Sequence, residues 1–479
     1  MKLIFLPLLS AILLTLSSPG LDLWWLSFIS FIPVLFSLKD KKYFFTKTLI
    51  FSTTYYFFNL FWINSSVSHF GGAPLIIGVL AVFGLSLYMS IYLLLFFYLN
   101  LKTDKIVISA LVFVVIEILR SKIFTGFPWL NLGLIPYNSQ IFTNFYSIFG
   151  EYGVSLIIIL VNLSLYKVLS QKNTKQLIPT GIVILLLITS NVIKPEIKYN
   201  KSLNISIIQP AYKQEEKWLP EKREEIKNLV ISMIEIASKS KSDLILLPES
   251  VFPFFIQADN LTFSYITESS LKKDLLLGNI RYDQKLNYYN SAFFFSKGSY
   301  QYYDKMHLVP FGEYFPLKII TAPISRYFFG DAKDFSRGKV HKVFNSNNIN
   351  ILPLICYESA FYDIIFNAFK DKSPDMLVIL SNDSWFGDTL GRVQHLAIDI
   401  VRAKEFMRPV IRVTQSGISA YINEKGEIIN KIGNNKQDII EANVNIDSNK
   451  RSLFSKYGYL WLGIFALISL IFSVKRERY

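Results

Sequence analysis

The sequence predicts a multi-pass α-helical membrane bundle of about eight helices that carries one α/β domain outside the membrane. Three observations predict it. Charged residues are only 18% of the 479 residues and hydrophobic residues are 51%, whereas a soluble domain carries about 25% charge. Uncharged apolar runs recur through residues 1–193 and return once near the end. Between them, apolar segments of strand length alternate with amphipathic helical patterns. The mean hydropathy of +0.34 excludes a disordered chain.

In chain order, the first apolar run is Leu3–Leu16, whose 14 residues suit a signal-peptide core as well as a short helix. A retained helix is favoured, because Leu23–Leu38 follows at once and can pair with it as a hairpin. Thr48–Ile63, Leu75–Leu99, Ile106–Leu119, Val154–Val168 and Leu177–Ile193 come next. Leu75–Leu99 is the clearest, since its 25 residues exceed the roughly 20 that span a hydrocarbon core. Gly458–Val474 closes the set and is followed by Lys475, Arg476 and Arg478. The predicted division is a bundle over 1–193, an α/β domain over 194–457, and a final helix with its tail over 458–479. In the middle part, strands are expected at Leu203–Ile208, Leu244–Leu247, Asp274–Leu277, Ala292–Phe295, Ile349–Ile355, Met376–Leu380, Val410–Val413 and Ile418–Ile422. Helices are expected near Glu221–Ser238 and Val393–Phe406.

The net charge of +14 invites a nucleic-acid reading, but its distribution argues against one. Residues 1–194 hold 13 Lys+Arg against 5 Asp+Glu, mostly in short runs between apolar stretches, as membrane loops do. If alternate connectors are inside, they carry 13 basic residues, and the short outer connectors carry only Arg120 and Lys122. That bias puts both termini in the cytoplasm and residues 194–457 on the outer face. Glu117, three residues before Arg120, is expected to pair with it at the outer interface.

One cysteine excludes an internal disulfide, and no pair of the four histidines has metal-ligand spacing. Neither a metal nor a cofactor is expected. Three polar groups stand at the ends of apolar strands, where an α/β sheet presents its site. Glu249 ends Leu244-Ile245-Leu246-Leu247-Pro248-Glu249, Lys305 lies in Asp304-Lys305-Met306-His307, and Cys356 ends Leu352-Pro353-Leu354-Ile355-Cys356. A thiol that attacks a carbonyl, a carboxylate that takes its proton and an ammonium that stabilises the oxyanion can together run acyl transfer. The bland alternatives are a small core cysteine and two solvated charges. A Cys356–His307 or Cys356–His395 dyad is the rival mechanism.

The stretches Leu247-Pro248-Glu249-Ser250, Asp304-Lys305 through Gly312-Glu313-Tyr314, and Ile355-Cys356-Tyr357-Glu358-Ser359 resemble the Glu-Lys-Cys triad of the carbon–nitrogen hydrolase (nitrilase) superfamily. The flanking helices narrow the resemblance to the apolipoprotein N-acyltransferases. So do Thr125-Gly126-Phe127-Pro128-Trp129-Leu130, Asn382-Asp383-Ser384-Trp385-Phe386-Gly387-Asp388, Gln394-His395 and Arg408-Pro409. The resemblance spans nearly the whole chain. It implies a four-layer αββα nitrilase-like domain on an eight-helix bundle in a bacterial inner membrane, with the domain periplasmic. It implies that Cys356 takes an acyl chain from a phospholipid as a thioester and passes it to the α-amino group of a diacylglyceryl-cysteine. Glu249 would be the general base and Lys305 the oxyanion stabiliser, with Glu313 and Glu358 as supporting carboxylates. Tyr357 would flank the nucleophile, and Trp129, Trp218, Trp385 and Phe386 would lie near the bound lipid. The implied partners are a phospholipid donor, a diacylated apolipoprotein acceptor and the membrane, with no nucleic acid and no second copy of the chain.

Val251–Phe255 and Tyr327-Phe328-Phe329 are further candidates for contact with acyl chains. Two other readings compete: a membrane-tethered amidase that releases its acyl group to water, and a transporter or scaffold. The scarcity of charge within the apolar runs speaks against transport.

Overall fold

The computed structural model describes residues 2–103, 105–192, 196–316 and 334–475. The Tyr327–Phe329 stretch and the charges Arg476 and Arg478 lie outside the described residues. Helices α1 (Lys2–Ser17), α2 (Ile32–Leu38), α3 (Phe44–Asn59), α4 (Leu75–Asn100), α5 (Ile106–Arg120), α6 (Thr143–Gln171) and α7 (Ile178–Val192) pack into the N-terminal bundle. Among the described residues, three helical stretches are long and apolar enough to cross a membrane: Leu75–Asn100, Gln140–Gln171 and Thr174–Val192. Their outward faces are apolar. Ile76, Leu80, Phe83 and Ile91 of α4 and Ile182, Leu185 and Ile188 of α7 are all exposed. A contiguous apolar surface of this kind is unstable against water and matched to hydrocarbon.

Two expectations within the bundle need correction. Leu23–Leu38 is not one helix but a 3₁₀ turn, Trp24–Phe28, followed by the seven-residue α2. Pro33 cannot continue a helix from its N-terminal side, so it begins a new one. Asn162 of α6 supplies what the break leaves open, accepting from Phe31 N at 2.9 Å and donating to Ser27 O at 2.8 Å. Glu117 and Arg120 are not an exposed interfacial pair either, because both are buried. Glu117 accepts from Leu132 N at 2.9 Å, and Arg120 donates to Tyr56 Oη at 2.8 Å, to Trp129 O and to the Asn131 side chain. They hold the 121–139 loop inside the bundle, where its backbone polar groups have no water.

The second half contains two six-stranded sheets. The first runs β12-β1-β2-β3-β4-β5, from β1 (Lys201–Gln209), β2 (Leu244–Leu246), β3 (Asp274–Tyr282), β4 (Tyr288–Ser296), β5 (Ser299–Asp304) and β12 (Asp438–Ile446). The second runs β11-β10-β9-β8-β7-β6, from β6 (Phe344–Ser346), β7 (Ile349–Ile355), β8 (Met376–Ser381), β9 (Val410–Thr414), β10 (Ser419–Ile422) and β11 (Ile428–Ile432). β1, β2 and β3 are parallel, as are β7, β8 and β9. Strands covered on both faces carry continuous apolar runs, and these were the ones visible in the sequence.

Ile205, Ile207, Leu246, Ile351, Val378 and Ile411 are among the side chains that fill the space between the sheets. On the far face of the first sheet lie α8 (Arg223–Ser238) and α9 (Asn260–Ser269). α10 (Tyr362–Asp371) and α11 (Leu390–Phe406) cover the far face of the second. The order of layers is helix, sheet, sheet, helix. Val251 and Phe252 are fully buried under α8 and α9, so they are core of this layer and not acyl contacts.

The outer face of α11 rests on the bundle. Glu405 accepts from Glu151 N at 2.6 Å, Arg402 pairs with Glu151 at 3.4 Å and with Glu405, and Gln394 accepts from the indole N–H groups of Trp62 and Trp129. At Gly150 α6 kinks with φ +66°, and a Cβ there would strike the Phe454 ring at 2.5 Å.

Candidate active site

Glu249 follows β2 by way of Pro248, and Ser250 after it takes a left-handed φ of 49°. Gly278 on β3 lets this turn approach, since a Cβ there would lie 2.5 Å from Glu249 Cα. Lys305 directly follows β5, and its N–H donates to Asn290 O at 2.8 Å. Cys356 follows β7 with φ 51° and opens the 3₁₀ helix Cys356–Ala360. A non-glycine residue held in that region at a strand-to-helix turn stores strain, which is common at functional positions. The site thus takes Glu249 and Lys305 from the first sheet and Cys356 from the second.

The Lys305 ammonium is buried 3.0 Å from Glu313 and 3.7 Å from Glu249. Burial alone would lower its pKa, but the charges of Glu313 and Glu249 outweigh that and hold it above the ordinary lysine value. Glu249 also accepts from Asn290 Nδ2 at 2.7 Å and from Asn382 N at 2.9 Å. Glu313 accepts from Asn290 Nδ2 at 2.8 Å and from Val309 N at 2.7 Å. One asparagine therefore sets the spacing of the two carboxylates around the ammonium.

Cys356 feels the charges of Glu249 and Lys305. Burial and then Glu249 push its thiol up, against the opposing pull of Lys305. At neutral pH the resting group is a thiol, so its proton must leave as it attacks. Glu358, fully buried, accepts from Ile355 N at 2.8 Å, Tyr303 Oη at 2.8 Å, Met306 N at 2.6 Å and His307 N at 3.2 Å. It ties the end of β7 to the loop that carries Lys305 and so positions both.

Neither histidine is arranged as a partner for the thiol. His307 Nε2 lies 3.0 Å from Thr125 O, and its ring stacks on Phe361 with centroids 3.6 Å apart. Burial and then Arg337 lower its pKa to about 4. His395 Nδ1 lies 3.0 Å from Asp383 Oδ1, and its Nε2 lies 3.3 Å from the Cys356 carbonyl oxygen. Asp383 also receives Arg412 and Ser381 Oγ. Burial would raise this carboxyl, but Arg412 and His395 hold it well below the usual range. The group fixes the backbone under the nucleophile.

The aromatic candidates separate into two sets. Trp129, Tyr357 and Phe386 are buried and packed, with Phe386 4.6 Å from Trp62 and Trp129 5.5 Å from Trp62. Tyr357 Oη donates to Gly126 O at 3.1 Å. These residues wall the site and join it to the bundle. Trp218 and Trp385 are exposed, and Trp385 packs against Phe70 at 5.8 Å.

Residues 204–451 match the carbon–nitrogen hydrolase family model, and residues 10–164 match that of the apolipoprotein N-acyltransferase N-terminal domain. The chain is 30% identical over 438 residues to an apolipoprotein N-acyltransferase of Haemophilus influenzae, covering 85% of this chain and 82% of the relative. The chain belongs to the apolipoprotein N-acyltransferase family. A Rickettsia typhi protein of that name is 30% identical, covering 92% of this chain and 95% of the relative. One from Haemophilus ducreyi is 28% identical, covering 95% and 93%. The chain is accordingly a membrane acyltransferase of lipoprotein maturation, with a nitrilase-like two-sheet domain.

Sequence reasoning missed several groups in this acyltransferase site. Asn290 lies buried in the aromatic-rich β4 beside Ser291, and an amide in such a strand is its one signal. Tyr303 looks like any other aromatic of the sequence, yet its hydroxyl holds Glu358. Gln214 Oε1 accepts from Asn382 Nδ2 at 2.9 Å and lies in a loop with no strand or helix pattern to draw attention to it.

Proposed function

We propose that the enzyme works in two half-reactions through a thioester on Cys356, with a phospholipid as acyl donor. The observation that carries this reading is Lys305, set between Glu249 and Glu313 beside a thiol that is neutral at rest. A neutral thiol needs a base at the moment of attack, and a fixed ammonium suits the oxyanion that attack creates. In the first half-reaction Glu249 takes the thiol proton as Sγ bonds to the ester carbonyl carbon. Lys305 stabilises the oxyanion, the C–O bond breaks, and Glu249 returns the proton to the departing glycerol oxygen. In the second, the acceptor's neutral α-amine attacks the thioester and gives a proton to Glu249. The C–S bond breaks, and that proton restores the thiol. Phe386 and Trp129 wall the site against water, which protects the thioester from hydrolysis.

Helices α1 to α7 together with Leu460–Lys475 form the eight-helix bundle in the inner membrane. The catalytic domain is periplasmic over residues 194–457, and the chain acts as a monomer. The basic count of 13 inside against 2 outside supports this orientation, as do the apolar outward faces of α4 and α7. A domain tethered at both ends stays at the interface where both lipids lie. Incubation with phospholipid alone is expected to leave an acyl group on Cys356. Neutral hydroxylamine and a diacylglyceryl-cysteine peptide should each remove it, and Cys356→Ser should form none. No acyl-enzyme by mass spectrometry under single-turnover conditions would overturn the two-step reading.

A further inference from the structure

Lys217 is a second buried ammonium beside the triad. It lies in the loop between β1 and α8, is 1% exposed, and has no hydrogen bond or ion pair to its Nζ among the described residues. Its Nζ lies 5.3 Å from the neighbouring Trp218 ring. The charged group that faces it is Glu249. That carboxylate is already engaged by Asn290, by Asn382 and by Lys305. Burial lowers the Lys217 pKa to about 8, against the pull of Glu249, so most of it stays protonated at pH 7.

The loop that carries Lys217 is clamped on both sides. Gln214 accepts from Asn382, whose N–H holds Glu249. Glu215 accepts from His69 of the bundle at 2.8 Å, on the turn Ser65–Phe70, which also packs on Trp385 through Phe70 and Ser66. Lys213 pairs with Glu216 of its own loop at 3.4 Å and needs no other partner. Lys217 is therefore fixed where the triad meets the bundle. A buried cation with no ion pair or hydrogen bond of its own is costly to the folded protein, so a direct anionic partner is expected to arrive with a substrate.

We propose that Lys217 binds the phosphate diester of the phospholipid donor while its ester carbonyl lies at Cys356. This rests on the phospholipid-donor reading above. In a glycerophospholipid the phosphate is joined to the reacting ester through the glycerol backbone alone, so a cation adjoining the triad is in reach of it. The diacylglyceryl-cysteine acceptor carries no phosphate. Lys217 thereby separates the two half-reactions. It favours the donor in the first, and in the second its positive charge favours the acceptor amine in the neutral, attacking form.

The test uses full-length enzyme in micelles and follows single-turnover acylation of Cys356 by phosphatidylethanolamine and by an uncharged long-chain p-nitrophenyl ester. Lys217→Met should raise the half-saturating phospholipid concentration about 10–100-fold, the range for a lost charge-assisted hydrogen bond. That loss should exceed the loss on the uncharged ester by about 10-fold or more, and Lys217→Arg should restore most of it. Equal losses on both donors would mean that Lys217 acts on the reacting carbonyl or on folding, and an unchanged phospholipid dependence would mean that it binds no phosphate. Either result overturns the proposal. Failure of the thioester reading itself would show separately, as no adduct in the unmodified enzyme with either donor.

Discussion

The helices on the two outer faces of the sheet pair solve the same packing problem in opposite ways. α8 buries Ile226, Val230, Met233, Ile234 and Ala237 against the first sheet and turns Glu224 and Glu225 toward solvent. α11 packs on the second sheet, yet 15 of its 17 residues are buried, including Arg392, Gln394, His395, Asp399, Arg402, Lys404 and Glu405. A polar face can be buried only if each group finds a partner. On α11 the bundle provides several: Glu151 for Arg402, the Trp62 and Trp129 indoles for Gln394, and the Tyr137 and Ser139 carbonyls for Lys404. A face that looks solvated in sequence is here a docking surface. The layer facing solvent serves stability, and the layer facing the bundle holds the catalytic domain on its membrane anchor.

The largest expected effect is at the junction of the two sheets. Glu249→Ala should cost about 10²–10⁴-fold in acyl transfer, and His307→Ala should keep substantial activity, since its ring is held by Thr125 and Phe361. Assay of both variants with donor and acceptor checks this, and the reverse ranking would restore the cysteine–histidine dyad. Next comes the docking face. Arg402→Ala leaves Glu151 and Glu405 buried without their cation, which is expected to destabilise the protein by about 3–5 kcal/mol. Thermal unfolding in detergent should show the drop, and a loss below about 1 kcal/mol would mean that this face is wetter than the contacts imply. The smallest effect belongs to α8. Glu224→Ala removes an exposed i,i+3 partner of Lys227 and should change stability by less than about 0.5 kcal/mol in the same measurement.

Apolar runs mark β1, β2, β3, β4, β7, β8, β9 and β10, because strands covered on both faces, parallel or not, must be largely apolar. They pass over β5, β11 and β12, whose exposed polar residues leave no such run. Glu249 and Cys356 are legible as polar residues at the ends of apolar segments, and Lys305 through the motif Asp304-Lys305-Met306-His307 at the end of the polar β5. Asn290, Tyr303 and Lys217 are not, because what marks them is a partner, or the lack of one, far away in the chain.

By itself, then, the sequence determined the apolar segments, the two-part chain and the motifs that carry Glu249, Lys305 and Cys356, all of which depend on local composition. Only the tertiary structure decided that Pro33 would break a helix that Asn162 repairs, and that Glu117 and Arg120 would be buried and hold a loop. It alone decided that α11 would be buried on both sides and that Lys217 would be buried with no ion pair of its own among the described residues. The physical reason is that the cost of burying a polar or charged group depends on its partners in space, and these groups draw theirs from segments up to hundreds of residues away.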